Sequence, residues 1–320
     1  MTIGVGIIGL GIMGRRMQGM MDECPEMTIV RGFDPNPAMV ADSGLDAAAS
    51  ADDLVTAPDV DLVYIACPPL WHGEHARRAL AAGKPVLCEK PLGVDIADSR
   101  RLVEEFDAAG VQGAVNFSFA GTPSRRWLKD LVEAGAPGTI TGIDIRLHFA
   151  QWPRDWQEAA AWLGKRDQGG YVREVLSHFI YLTHSILGPA RVVEAWRRYP
   201  DGPGGEASES HVSALLDLDG IPVSIAGGSG GVGPDRIEYT LWGSKESFRL
   251  DDWYTAWRSD GGPWRRDQEH IADPRAEGRQ HQAQAIADWA HGRPSPMPDL
   301  ALAFGVQKLI EIILGAGPTA

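Results

Sequence analysis

The segment Gly9-Leu10-Gly11-Ile12-Met13-Gly14 decides the fold of the first part of the chain. It matches G-x-G-x-x-G, follows an apolar run at residues 3–10, and precedes a helical pattern at residues 12–21. In this context the first glycine permits a tight turn, the second lets the backbone approach a pyrophosphate, and the third allows the helix to pack closely on the strand. The segment therefore predicts a dinucleotide site that includes Gly9, Gly11, Ile12, Met13 and Gly14.

A carboxylate stands at the end of the second predicted strand, Met27–Phe33. Asp34 lies 20 residues beyond Gly14, where a carboxylate can accept hydrogen bonds from the ribose hydroxyls of the adenosine. Its charge also repels a 2′-phosphate, and the following Pro35-Asn36-Pro37 supplies no arginine to bind one. We therefore predict NAD as the cofactor, with NADP less favoured.

The first third of the chain alternates between short apolar runs and helical patterns. Apolar runs at residues 62–66, 85–88 and 111–117 are separated by helix-prone segments at residues 73–82 and 94–109. Strands that alternate with helices of this length indicate βαβ units and a parallel sheet that is covered on both faces. We predict a doubly wound α/β domain over residues 1–120, which binds the dinucleotide.

After Phe119 the pattern changes to strands that are joined by turns, which predicts a mainly antiparallel sheet with helices over residues 121–320. The glycine-rich stretch at residues 227–234 is predicted to be a mobile connection between two of these strands. Strands are expected at residues 139–149, 192–196, 211–218, 221–226 and 236–242, and helices at residues 124–134, 170–187, 280–291 and 299–314.

Composition excludes several classes of protein. The 320 residues include 43 acidic and 30 basic side chains, so the net charge of −13 disfavours a nucleic acid as the main partner. Three widely spaced cysteines predict neither a disulfide framework nor a metal site and suit a reducing cytosol. No apolar run is long enough to cross a membrane, and the apolar start is interrupted by glycines, unlike a signal peptide. We expect a cytoplasmic protein without bound metal.

Candidate ligand-binding residues follow the third and fourth predicted strands. Cys67-Pro68-Pro69-Leu70-Trp71-His72 follows the third, and Cys88-Glu89-Lys90-Pro91 ends the fourth. Open α/β sheets bind ligands at the carboxyl ends of their parallel strands. The predicted cofactor contacts here are Cys67, Pro68, His72, Glu89 and Lys90, together with Asn116 from the fifth strand.

The predicted helix at residues 170–187 carries an unusual polar line. Val175, Phe179, Leu182 and Ile186 form an apolar stripe at helical spacing, which indicates a largely buried helix. Burial of an ionisable Glu–His pair costs free energy unless the pair is hydrogen-bonded or in contact with water. A face that lines a cleft explains the polar residues that follow the same spacing, Glu174, His178, Tyr181 and Ser185.

Together these motifs resemble the glucose–fructose oxidoreductase/inositol dehydrogenase (Gfo/Idh/MocA) family over nearly the whole chain. The resemblance rests on the glycine turn, Pro68-Pro69-x-x-His72, Cys88-Glu89-Lys90-Pro91 and Gly169-Gly170…His178…Leu187-Gly188. It implies an N-terminal Rossmann domain and a C-terminal α+β domain, whose open sheet commonly mediates dimers or tetramers. It also implies NAD(P)-dependent oxidoreduction of sugars or cyclitols.

By the same resemblance, Lys90 matches the motif lysine and His178 the catalytic histidine, while Glu174 stands where the family usually has aspartate. A histidine suits removal of a hydroxyl proton near neutral pH, a lysine can stabilise the developing negative charge, and Glu174 can orient the substrate or the imidazole. We therefore predict that Lys90 and His178 bracket one substrate oxygen. The predicted substrate contacts are Lys90, Trp152, Arg154, Trp156, Glu174, His178 and Tyr181.

Two other functions use the same scaffold. One is a redox-inactive regulator that binds a nucleotide or a sugar, which the presence of both Lys90 and His178 disfavours. The other is a glycoside-cleaving enzyme that uses NAD transiently, so that no reduced cofactor accumulates.

Overall fold

The computed structural model describes residues 2–202 and 204–315, and contacts divide the chain into two compact units. Among the described residues, the first unit comprises residues 2–121 and Arg279–Gln307, and the second comprises residues 122–278 and 308–315. This grouping differs from the predicted contiguous domains in one segment, because Arg279–Gln307 returns to the first unit. The binding roles assigned to the two domains stay predictions.

The first unit contains a five-stranded parallel sheet in the order β2-β1-β3-β4-β5. All residues of β1, β3 and β4 are buried, as expected for strands that are covered on both faces. Its elements in chain order are β1 (Ile3–Ile8), α1 (Ile12–Asp22), β2 (Met27–Phe33), α2 (Pro37–Ser43), α3 (Ala51–Thr56), β3 (Leu62–Ile65), α4 (His72–Ala81), β4 (Val86–Glu89), α5 (Ile96–Ala109) and β5 (Gly113–Asn116).

The second unit contains an eight-stranded sheet in the order β13-β12-β11-β10-β6-β9-β8-β7, in which only the β6–β9 pair is parallel. The elements are α6 (Pro123–Glu133), β6 (Ile140–Phe149), α7 (Ser177–Leu187), β7 (Arg191–Arg198), β8 (His211–Leu218), β9 (Ile221–Ser229), β10 (Arg236–Gly243), β11 (Ser247–Asp251), β12 (Thr255–Ser259) and β13 (Arg265–Arg266). The chain continues with α8 (Pro274–Ala290) and α9 (Leu300–Leu314).

This architecture confirms the predicted fold class, a parallel Rossmann-type sheet and a mainly antiparallel second sheet. Two details differ from the sequence-based expectation. Strand β9 extends to Ser229, so the predicted connection begins later, and the ring of Tyr171 occupies the space above Gly227, where a Cβ would lie 2.8 Å from it. Strands β11–β13 and helices α2 and α3 were not predicted. Each spans seven residues or fewer, and β11 was missed although its burial alternates along the strand.

One face of the second sheet is buried and the other is exposed. In β8, Val212, Ala214 and Leu216 point into the core, while Leu215 is 40% exposed. Trp196 on β7 and Trp242 on β10 are 57% and 39% exposed. The predicted assembly into oligomers through this sheet stays a prediction.

No helix within residues 2–202 and 204–315 combines the length and the apolar character that a bilayer span requires. The cytoplasmic location stays a prediction.

Candidate cofactor and substrate sites

The glycine turn has the shape that a pyrophosphate requires. Gly9 has a φ of +93°, and a Cβ there would lie 2.5 Å from the backbone nitrogen of Cys67. A Cβ at Gly14 would collide with the Gly9 carbonyl oxygen, whereas a Cβ at Gly11 would meet nothing within 4 Å. No side chain caps the first turn of α1, so its N–H groups face an open approach, as in anion sites at helix N-termini. These residues fit a bound dinucleotide.

Asp34 is held against this turn by the backbone. Its Oδ2 accepts a hydrogen bond from Leu10 N at 2.9 Å, and its Oδ1 accepts one from Asn36 N at 2.9 Å. A carboxylate oxygen can accept more than one hydrogen bond, so both oxygens retain capacity for ribose hydroxyls. Arg31, the arginine nearest in sequence, forms an ion pair with Asp59 at 2.9 Å.

His72 joins the two loops that follow β3 and β4. The ring is 1% exposed, with Nδ1 2.8 Å from the Pro91 carbonyl oxygen and Nε2 2.8 Å from the Cys67 carbonyl oxygen. Burial lowers its pKa to about 4, and burial likewise raises the pKa of the Cys67 thiol to about 12. We expect His72 to influence a cofactor through the positions of these loops, since both ring nitrogens face protein carbonyls.

Glu89 anchors the Glu-Lys-Pro turn within a buried polar network. Its Oε1 accepts hydrogen bonds from the Tyr64 hydroxyl at 2.7 Å and from Asn116 Nδ2 at 2.6 Å. Gln282 Nε2 in turn donates to Asn116 Oδ1 at 2.7 Å, and Gly121 N donates to Gln282 Oε1 at 2.7 Å. Lys90 follows directly and is 8% exposed. Thus α8 completes the support of this turn.

Sequence reasoning missed Tyr64 and Gln282. Tyr64 carries the one hydroxyl in the otherwise apolar strand β3, which was the available signal. Burial, and then the charge of Glu89, raise its pKa well above the ordinary value. Gln282 gave no signal, because α8 lies far from Glu89 in the sequence.

The helix that carries Glu174 and His178 departs from the predicted continuous α-helix. Val172–Leu176 forms a π-helical turn, and α7 follows it. A π-helical turn has a wider spacing than an α-helix, so the predicted polar line does not run at regular α-helical intervals. His178 is 4% exposed, and its ring meets the ring of Trp253 edge-on with centroids 5.1 Å apart.

Glu174 belongs to a chain of hydrogen bonds that reaches the loop after β6. Gln157 Nε2 donates to Glu174 Oε1 at 3.3 Å, and Gln157 Oε1 accepts from Arg154 Nε at 3.1 Å. The Arg154 guanidinium lies over the rings of Trp156, Phe149 and Trp152 at 4.8, 5.4 and 5.5 Å. Trp156 is 47% exposed, whereas the Trp152 indole donates to the Leu163 carbonyl at 3.0 Å. The structure thus brings Glu174, Arg154 and Trp156 into one connected cluster.

Arg125 from α6 contacts both Tyr181 and Ser185. The Arg125 guanidinium lies 5.8 Å from the Tyr181 ring centroid, and its Nε donates to Ser185 Oγ at 3.0 Å. Tyr181 is 1% exposed, and burial raises its pKa. Its predicted contact with substrate stays a prediction.

Two buried carboxylates hold the π-helical turn in place. Arg173 donates from Nε and Nη2 to the two oxygens of Glu311 at 2.7 and 2.8 Å, and from Nη1 to two carbonyl groups. Glu209 accepts a hydrogen bond from Val172 N at 2.8 Å. Both anchors come from residues far along the chain and were not predicted.

Each unit therefore holds its own group of candidate residues. The first holds the cofactor contacts and Lys90, and the second holds Glu174, His178 and the aromatic loop, which is the segment after β6 that carries Trp152, Arg154 and Trp156. That Lys90 and His178 act on one oxygen stays a prediction. Over the part of the chain that the structure describes, no cluster of three or more His, Cys, Asp or Glu side chains could hold a metal ion.

Family models match both parts of the chain. Residues 3–117 match an oxidoreductase family with an NAD-binding Rossmann fold, and residues 126–249 match the GFO/IDH/MocA C-terminal domain. These matches confirm the predicted family and the predicted class of cofactor.

Curated relatives extend the comparison. Inositol 2-dehydrogenase 3 of Saccharopolyspora erythraea is 35% identical over 146 residues, which cover 43% of each chain. A dTDP-3,4-didehydro-2,6-dideoxy-alpha-D-glucose 3-reductase of Saccharopolyspora spinosa is 29% identical over 263 residues, which cover 78% of this chain and 75% of that protein. The chain thus matches less than half the length of the first relative and three quarters of the second.

Solved structures share the fold over nearly the whole chain. A levoglucosan dehydrogenase in complex with NADH and L-sorbose has a TM-score of 0.84 at 20% identity and covers 98% of this chain and 96% of its own. A biliverdin reductase from Synechocystis with biliverdin and NADP⁺ has a TM-score of 0.78 at 21% identity and covers 97% and 98%.

Proposed function

The chain belongs to the Gfo/Idh/MocA oxidoreductase family, and from that premise we propose that it is an NAD-dependent dehydrogenase of a sugar, polyol or cyclitol hydroxyl. The observation that carries the proposal is the pairing of a glycine turn fitted to a dinucleotide with a helix that bears Glu174 and His178. Relatives named for inositol, a deoxysugar nucleotide and levoglucosan support this class of substrate.

The proposed reaction removes two hydrogens from a carbinol group. NAD, when bound, would supply the acceptor for the hydride of the carbinol carbon. His178 takes the proton of the hydroxyl, and Lys90 donates a hydrogen bond to the same oxygen, which stabilises its negative charge as the proton leaves. Glu174 orients the substrate hydroxyls or the imidazole. The product is the ketone, and microscopic reversibility lets the same groups reduce it.

In this proposal the aromatic loop contacts the face of the sugar ring. Trp156 is the exposed ring of the cluster, and the Arg154 guanidinium lies over it. Trp152, whose indole donates to the Leu163 carbonyl, and the buried Tyr181 complete the proposed substrate contacts.

The test is an assay of absorbance by reduced nicotinamide, with NAD⁺ and a panel that includes myo-inositol and levoglucosan. We expect His178→Ala and Lys90→Ala each to lower turnover at least ~100-fold, because each removes a group that moves a proton or stabilises charge. Binding of NAD⁺, measured by calorimetry, should survive both changes.

The exposed residues His270 and Lys245 provide matched controls, since their replacement by alanine should leave turnover unchanged. A rate like that of the wild type in either test variant would remove that residue from the mechanism. Bond cleavage of a glycoside without accumulation of reduced cofactor, or binding of NAD⁺ and polyol without any reaction, would instead support one of the two alternative functions.

Cofactor choice has its own test at Asp34. We expect Asp34→Ala to narrow the preference for NAD⁺ over NADP⁺ by about tenfold, because the change removes both a ribose acceptor and a charge that repels the 2′-phosphate. Paired measurements of kcat/KM for the two cofactors would reveal this, and an unchanged ratio would contradict the ribose role.

A further inference from the structure

Gln157 is a buried polar residue in an exposed segment. Its side chain is almost fully buried, with the residue 1% exposed, while the neighbouring Asp155, Trp156 and Glu158 are exposed. A short 3₁₀ turn, Asp155–Gln157, directs it inward. A buried amide is stable only when its donors and acceptor find partners, so the contacts of Gln157 indicate what it does.

Both ends of the Gln157 amide are engaged by charged residues of the proposed substrate site. The oxygen accepts hydrogen bonds from the Arg154 backbone N–H at 3.2 Å and from Arg154 Nε at 3.1 Å. The nitrogen donates to Glu174 Oε1 at 3.3 Å. A flipped amide would set its N–H groups against two donors and its oxygen against a carboxylate, so these neighbours permit one orientation.

Through this amide, the aromatic loop and the π-helical turn are connected. Arg154 stacks on Trp156, and Glu174 lies in the Val172–Leu176 turn, which α7 continues to His178. A shift of the loop therefore changes the hydrogen bonding of the Glu174 carboxylate. Conversely, a shift of that carboxylate changes the hydrogen bonds between Gln157 and Arg154.

We infer that Gln157 is a positioning residue, which orients the Glu174 carboxylate toward the substrate and couples it to the Arg154–Trp156 loop. This inference rests on the proposed function, in which Glu174 and the loop contact the substrate. Gln157 itself touches neither substrate nor cofactor in this scheme.

The contact between Gln157 and Glu174 can be measured without any substrate. Urea unfolding of Gln157→Met, Glu174→Met and the double variant forms a double-mutant cycle. We expect the equilibrium constants for unfolding to depart from additivity by at least about threefold. Additive effects would overturn the contact, whatever the enzyme turns out to catalyse.

Kinetics then distinguish positioning from simple support of the loop. Gln157→Met loses both hydrogen-bonding functions, whereas Gln157→Glu keeps an acceptor for Arg154 and loses the donor to Glu174. At pH 8, we expect both variants to lower kcat/KM for whichever panel polyol the wild type oxidises by about 10- to 100-fold. The KM for NAD⁺ should stay unchanged in both.

The pH dependence provides the sharpest readout. A protonated carboxyl at position 157 again presents a donor to Glu174, so the deficit of Gln157→Glu relative to the wild type should shrink below about threefold at pH 5.5. The deficit of Gln157→Met should not change with pH. Gln151→Met, at an exposed glutamine of the same loop, is the matched control and should behave like the wild type.

Each result has a separate meaning. If Gln157→Glu equals the wild type at pH 8, the amide only supports Arg154 and the positioning role is overturned. If the wild type oxidises none of the panel, the proposed function and the positioning role fall together. A coupling in the unfolding cycle would then still establish the contact between Gln157 and Glu174.

Discussion

The carboxylate before Lys90 in the first unit accepts hydrogen bonds from neutral donors, whereas a buried ion pair holds the π-helical turn of the second unit. Glu89 accepts from Tyr64 and Asn116, which lie on strands adjacent to its own. Arg173 instead binds Glu311, 138 residues further along the chain. The Glu-Lys-Pro turn of the first unit thus rests on neighbouring strands and on the neutral Gln282 of α8, whereas the π-helical turn of the second unit rests on a distant charge.

The comparison teaches which support is more sensitive to a single change. A neutral donor that loses its acceptor lowers the free energy of unfolding by the cost of one missing hydrogen bond. A buried charge that loses its partner lowers it by more, because the protein interior solvates a charge poorly. We therefore expect larger effects on stability in the second unit.

The largest effect is expected for Arg173→Met, which leaves Glu311 buried at 2% exposure without its counter-charge. The free energy of unfolding should fall by about 3–5 kcal/mol in urea titrations. The double variant Arg173→Met/Glu311→Leu should recover much of this loss, because it removes both charges.

The exposed pair Arg265–Asp260 is the control for this prediction, and Arg265→Met should leave the unfolding midpoint unchanged. If Arg173→Met and Arg265→Met lose the same free energy of unfolding, the buried ion pair contributes no more to stability than the exposed pair.

A smaller loss is expected for Glu89→Leu in the first unit. The change leaves the Tyr64 hydroxyl and the Asn116 amide without this acceptor, which should lower the free energy of unfolding by about 3 kcal/mol. Glu89→Gln keeps an acceptor and should cost less, and Glu104→Leu, at an exposed glutamate of α5, should cost little. If the Glu89→Leu protein is as stable as the Glu104→Leu protein, the hydrogen bonds of Glu89 do not contribute measurably to stability.

The smallest effect has the opposite sign and concerns Glu209. Burial raises its pKa to about 7, above the value of about 4.3 expected for glutamate in an unfolded chain. Between these two pH values folding takes up a proton, so the contribution of Glu209 to stability falls as pH rises from about 4 to 7 and stays low above that range. Glu209→Gln should therefore be more stable than the wild type at pH 8. The two pKa values set an upper bound of about 4 kcal/mol, and the cost of burying the new amide N–H groups reduces the expected gain to about 2 kcal/mol.

The gain from Glu209→Gln should largely disappear at pH 5, where the wild-type carboxyl is protonated in the folded protein. Thermal unfolding at both pH values measures this difference, with Glu206→Gln at an exposed position of the same loop as the control. A gain that is the same at pH 5 and pH 8 would contradict titration of Glu209 in this range.

Much of the fold was accessible from local sequence patterns. The strands β1 to β5 are short apolar runs between helices, and every one was predicted near its observed position. Strands β11 to β13 were missed because they span only two to five residues each. The π-helical turn was missed because the residue types of Val172–Leu176 do not distinguish a π-helix from an α-helix.

For the candidate sites, the motifs identified residues but not their supports. A few neighbouring residues are enough to recognise the glycine turn, Asp34 and the Glu-Lys-Pro segment, because the backbone geometry at a strand end depends on residues that are close in sequence. No such local pattern marks the supporting residues Gln157, Glu209, Gln282 and Glu311. Each acts on a residue at least 17 positions away, and nothing in the spacing of the chain indicates the partner.

The sequence by itself determined the succession of strands and helices, the parallel character of the first sheet and the dinucleotide turn, because hydrophobic period and glycine conformation are properties of neighbouring residues. Only the tertiary structure decided how His72 bridges two loops, how Gln157 links Arg154 to Glu174, and how Gln282 of α8 supports the Glu-Lys-Pro turn. Those arrangements follow from burial, which forces polar groups distant in the chain to satisfy one another once water is excluded.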